Sequence, residues 1–115
     1  MNINAKLEKN TFILVPQGPR IDHDSADAFS TALKPYLNEC QQNGKAVVLD
    51  FSEIDYISSV GLRALMLAAR QVKAQNGRIA IASLSPVVKE VFEISRFNMV
   101  YKVFDNVEQA MAGVS

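Results

Sequence analysis

Apolar and polar positions along this chain alternate with two different periods. Ile3, Ala5 and Leu7 are separated by single polar residues, the period of a strand with one buried face. Thr11 to Val15 form a second, more apolar run, and Glu8-Lys9-Asn10 between them read as a turn, so the two runs pair as a hairpin. Pro16 and Gly18-Pro19 close it, because proline donates no ladder hydrogen bond. The period then lengthens. Phe29, Leu33, Tyr36, Leu37 and Cys40 fall on one helical face, with Asp22, Asp24 or Ser25 available as cap and Gly44 as stop. Pro35 lies on the opposite face and predicts a kinked or shortened helix. Ala46 to Leu49 form a short buried strand closed by Asp50-Phe51. After the polar loop Ser52 to Asp55 and the pair Tyr56-Ile57, apolar residues recur at Leu62, Leu65, Met66, Ala69 and Val72, a helix running to about Gln75 and stopped by Asn76-Gly77.

The remainder repeats this alternation. Ile79 to Ala82 read as a strand, and Ser85-Pro86 as N-cap and first residue of a helix whose apolar face is Val88, Val91 and Phe92. Glu93 to Phe97 end it, and Val100 to Phe104 form a last strand. Asp105, with Glu108 three places on, makes a carboxylate capping box for a terminal helix bearing Val107, Ala110, Met111 and Val114. The order β-β-α-β-α-β-α-β-α predicts one α/β domain over residues 1–115, a mixed sheet of about five strands with about four helices packed on it. Val47, Leu49, Leu65, Met66, Ile79, Ile81, Val91 and Phe92 are the expected core.

Composition narrows the function. The 115 residues fit a single domain, and 49% hydrophobic residues suffice for a core. Twelve Lys+Arg balance twelve Asp+Glu, so no net charge points to nucleic acid. Cys40 is the sole cysteine and His23 the sole histidine. An intramolecular disulfide is therefore impossible, and neither a metal site, a required cofactor nor a Ser–His pair is expected. The opening MNINAKLEKN lacks the apolar core of a signal peptide, and no run approaches the roughly 20 apolar residues of a membrane span. A cytoplasmic protein without a membrane partner is the expectation.

The chemistry-bearing feature is Ser58-Ser59, placed where the central helix begins. Free backbone N–H groups and the positive end of the helix dipole meet there. A serine at that point can cap the helix, or carry a phosphate that the same groups stabilise. Ile57-Ser58-Ser59-Val60-Gly61 lacks the Gly-x-Ser-x-Gly elbow of a hydrolase and no phosphate-binding glycine loop occurs, so the chain does not read as an enzyme.

The stretch DFSEIDYISSVGLRAL, residues 51 to 65 with the preceding Asp50, resembles the signature of the STAS domain in the form found in bacterial anti-sigma factor antagonists. That family's element order is the one read above. The resemblance implies that Ser59, two places before Gly61, is the phosphorylation site. Ser58 stands where many members have Asp, and Val60 where many have Ser or Thr, which leaves Ser58 as a competitor. Ile21-Asp22 matches the end of the family's Gly-x-Leu-Asp element, although GPRID is one residue longer; an ordinary capping role for Asp22 is the alternative. By this resemblance the unphosphorylated protein binds an anti-sigma factor that doubles as its serine kinase, phosphorylation releases it, and a PP2C-type phosphatase reverses the step. The implied contact surface is Asp22, His23 and Asp24 with Ser58, Ser59, Gly61, Leu62 and Arg63. A non-transcriptional STAS subunit, in a lipid transporter or a signalling scaffold, is the alternative function.

Overall fold

The structure is a computed structural model and describes residues 1–114. Strand β1 (Ile3–Glu8) turns back into β2 (Thr11–Pro16), and the two pair antiparallel with Glu8 opposite Thr11. Lys9 and Asn10 make the turn, both at positive φ. A two-residue strand β3 (Arg20–Ile21) precedes helix α1 (Ala26–Asn38). Strand β4 (Ala46–Asp50) is followed by a second two-residue strand, β5 (Tyr56–Ile57), and by helix α2 (Ser59–Ala74). Then come β6 (Ile79–Ala82), α3 (Pro86–Ile94), a 3-10 turn over Phe97–Met99, β7 (Lys102–Phe104) and α4 (Val107–Val114). The main sheet has the order β1-β2-β4-β6-β7, parallel except for β1, and β3 pairs with β5 as a separate ribbon. This is the expected mixed sheet of five strands with four helices.

Alternation along the strands divides the interior in two. Val47, Leu49 and Ile81 face the main core with Leu14, where Phe29, Leu33 and Leu37 of α1, Leu65, Ala68 and Val72 of α2, and Val88 and Phe92 of α3 meet them. Ala46, Val48, Ala80 and Ala82 point to the other face and form a smaller cluster with Ala110 and Val114 of α4, against which Phe104, Val107 and Met111 also pack. Three alanines on that face let a short helix lie close to the sheet. Tyr101 is 2% exposed and donates its hydroxyl to the Leu65 carbonyl, 2.7 Å away, which ties the residue before β7 to the middle of α2.

Several expectations need correction. Met66, Ile79 and Val91 are half-buried and pack against the core from its edge. Helix α1 carries Pro35 on an exposed face and ends at Asn38, well before Gly44; residues 39 to 45 form turns instead. Loss of one N–H near the C-terminus leaves a single carbonyl to solvent, so the helix tolerates the proline and stops within a turn of it. The terminal helix is capped by Asn106, whose side-chain oxygen accepts the Gln109 N–H at 2.9 Å, and not by the Asp105–Glu108 box. The last strand starts at Lys102, because Phe97 to Val100 are taken up in the 3-10 turn and its cap.

Candidate functional site

The β3–β5 ribbon, unanticipated from the sequence, builds the site. Arg20 pairs with Tyr56 and Ile21 with Ile57, in parallel. Beyond the ladder the Ser58 N–H donates to the Ile21 carbonyl at 2.9 Å, and the Asp55 N–H to the Pro19 carbonyl at 2.7 Å. The peptide bond between Gly18 and Pro19 is cis. The segment ending in Asp22 is thus sewn along the segment ending in Ser58, and both chains leave the ribbon at the same place. One enters the turn before α1, the other the first turn of α2.

The two serines have separate places. Ser58 is the N-cap of α2: its backbone is extended and its hydroxyl oxygen accepts the Gly61 N–H at 3.3 Å. Ser59 is the first helical residue and is exposed. Its hydroxyl therefore stands beside the helix N-terminus without being needed to close it. Gly61 is buried, because its backbone passes against the ribbon. A Cβ there would lie 2.7 Å from the Ile21 carbonyl oxygen and 2.7 Å from Ile57 Cγ1. Leu62 is half-buried and Arg63 exposed. Of this turn, then, Ser59, Val60 and Arg63 present side chains outward, with Val60 40% exposed. Val60 escaped the sequence reading; its signal is an apolar residue off the core stripe directly after Ser59.

Asp22 organises the neighbouring turn. One oxygen accepts the Asp24 N–H at 3.1 Å, the other the Arg20 Nε–H at 3.1 Å. Its own N–H donates to the Ser25 hydroxyl at 3.0 Å, and that hydroxyl in turn donates to the Arg20 carbonyl at 3.1 Å. Ser25 is the N-cap residue of α1 but gives no side-chain bond to the helix. The Arg20 hydrogen bond, with those from Asp24 and Ser25, holds the Asp22 carboxyl below its ordinary range despite partial desolvation. The Arg20 guanidinium also stacks 4.2 Å from the centre of the Tyr56 ring, a second tie across the ribbon. His23 and Asp24 are exposed at the tip of the turn. Through the ribbon the structure brings Ile21, the residue before Asp22, into hydrogen-bond contact with Ser58.

Among the described residues, no group of three His, Cys, Asp or Glu is placed to hold a metal ion. Among the described residues, no helix is long and apolar enough to cross a membrane. Burial raises the pKa of the Cys40 thiol, whose sulfur lies 3.1 Å from the Arg78 carbonyl in the core.

A mixed sheet opened by an antiparallel hairpin, with a serine-bearing helix start sewn to the neighbouring turn, defines the STAS class. The STAS domain family model matches residues 2–110, and the chain belongs to that family. A Bordetella bronchiseptica protein with the provisional name anti-sigma factor antagonist BtrV is 44% identical over 68 residues. That match spans 59% of each chain, so it covers little more than half of the relative's length. The fold is similar to that of an anti-sigma-factor antagonist domain protein from Planctomyces limnophilus, at a TM-score of 0.87, 16% identity and 97% coverage of both chains. It is also similar to the anti-sigma factor antagonist SpoIIAA. The unphosphorylated form gives a TM-score of 0.72 at 18% identity, covering 94% of this chain and 90% of SpoIIAA. The phosphorylated form, from Bacillus, gives 0.69 at 18% identity, covering 99% and 100%.

Proposed function

We propose that this chain is an anti-sigma factor antagonist that works by partner switching, with Ser59 as the residue whose phosphorylation controls it. The observation that carries the reading is the division of labour at the start of α2: Ser58 holds the cap, while Ser59 is exposed one residue on. A phosphate on Ser59 meets free N–H groups and the helix dipole without taking a hydrogen bond from the fold. It adds about −1.5 to −2 charges at neutral pH beside Asp22 and Asp24. A partner surface docked over Ser59, Val60, Leu62 and Arg63 must then desolvate that charge, and the complex dissociates. The Bordetella relative's name, and the two SpoIIAA forms differing in phosphorylation, support the same role.

The unphosphorylated domain binds an anti-sigma factor that is also its serine kinase, and a PP2C-type phosphatase resets it. The chain itself is a cytoplasmic binding module and performs no catalysis. The experiment is recovery of the protein from its native cells, with partner identification and phosphate mapping by mass spectrometry. A kinase partner and phosphate on Ser59 are expected. Absence of both, with a transporter subunit or scaffold recovered in their place, would replace this reading with that of a non-transcriptional STAS subunit.

A further inference from the structure

The C-terminal half of α2 walls a groove remote from Ser59. Lys73 lies 14 residues further along the helix, about 21 Å at helical rise. The groove measures about 770 Å³, inside the roughly 300–1,000 Å³ of small-molecule sites. Met66, Ala69, Val72 and Ile79 give it an apolar wall, and Met99 and Val100, 83% and 39% exposed, add apolar surface to the lining. Arg70, Lys73, Arg78 and Lys102 also line it, and among the described residues no carboxylate does.

The charge placement is uneven for a chain with twelve cations and twelve anions. The three ion pairs found among the described residues, Lys6–Glu8, Arg20–Asp22 and Lys45–Glu39, all lie elsewhere. Arg78 donates to the Val114 carbonyl at 2.6 Å and so fixes the end of α4 against the groove. Among the described residues, the side chains of Arg70, Lys73 and Lys102 have no such engagement. Like charges gathered round a concave apolar surface raise the local concentration of anions, and low-dielectric walls focus that field. The apolar wall adds a preference that a bare inorganic ion cannot use.

We propose that this groove binds a small organic anion with an apolar body, an alkyl chain ending in a phosphate or carboxylate. None of the residues of the proposed switch lines this groove. The test is titration of octyl phosphate, below its micelle concentration, into the ¹⁵N-labelled full chain. Inorganic phosphate, octanol and anionic phospholipid vesicles are run in parallel. Saturable shifts confined to residues 66–79 and 99–102 are expected with octyl phosphate. Its Kd should rise with salt, and inorganic phosphate and octanol should bind at least tenfold more weakly. Lys73→Glu combined with Lys102→Glu should weaken octyl phosphate at least tenfold, and Lys34→Glu, on α1, should not. Should the double charge reversal unfold the chain, Lys73→Gln with Lys102→Gln and the salt dependence of the unaltered protein decide. Equal binding of octanol, shifts elsewhere, indifference to salt, or binding only to vesicles would overturn the proposal.

Discussion

Gly61→Ala sets two magnitudes against each other at the centre of the site. In a helix, alanine is favoured over glycine by up to about 1 kcal/mol. The added methyl, however, would sit 2.7 Å from the Ile21 carbonyl oxygen, 2.7 Å from Ile57 Cγ1 and 3.0 Å from Ile21 Cγ2. The carbonyl cannot simply retreat, because it accepts the Ser58 N–H at 2.9 Å. Overpacking of this kind costs about 1–3 kcal/mol. The clash wins, and we expect a net loss of about 1 kcal/mol, or about 4 °C in melting temperature for a domain of this size. Urea unfolding followed by far-ultraviolet circular dichroism measures it, the chain having no tryptophan. Because the strain lies between the ribbon and α2, amide shifts in the variant should concentrate at residues 20–25 and 56–63. A variant as stable as the parent, or more stable, would refute the claim that α2 is seated on Ile21.

Other expectations follow from the same geometry. Ser58→Ala removes the cap and should cost about 1 kcal/mol, whereas Ser59→Ala should stay within about 0.5 kcal/mol; paired thermal melts check both. Leu65→Ala, at a fully buried position, should cost about 2–5 kcal/mol in urea unfolding. Asp22 has a folded-state pKa below its ordinary value of 3.8, so its contribution is present above that value and is lost as pH falls through the lower one; Asp22→Asn should flatten the acid limb of stability against pH below about 4. Cys40, buried with a raised pKa, should react with a thiol reagent in urea and resist it in the native state.

Long periodic segments were legible in the sequence, and short tertiary ones were not. The α2 stripe from Leu62 to Val72 and the apolar strands β4 and β6 stood out, because burial on a helix stripe or on both sheet faces leaves a strong pattern. The β3–β5 ribbon left none: two residues per strand are too few for a period, and Gly18, Pro19 and Arg20 read as loop. Yet that ribbon sets Ile21, beside Asp22, against Ser58. The pattern offers Asp22 only as a helix cap, and the resemblance to a family alone gives it a place in the contact surface. The cap at Asn106 was missed by one residue because Asp105 and Asn106 are both competent side-chain acceptors. Which serine caps α2 was also beyond the sequence, since Ser58 and Ser59 offer the same hydroxyl and only the extended backbone of Ser58 separates them. The half-burial of Met66, Ile79 and Val91 reflects their position around the basic groove or at the edge of α3, a matter of packing and not of period.

Partner switching as proposed turns on Ser59, and not the capping Ser58, accepting the phosphate. The most direct test incubates the parent chain, Ser58→Ala and Ser59→Ala with the kinase partner recovered from native cells and ATP, followed by intact-mass measurement. One phosphate is expected on the parent and on Ser58→Ala, and none on Ser59→Ala. One phosphate on Ser59→Ala and none on Ser58→Ala would contradict it and move the switch to the cap.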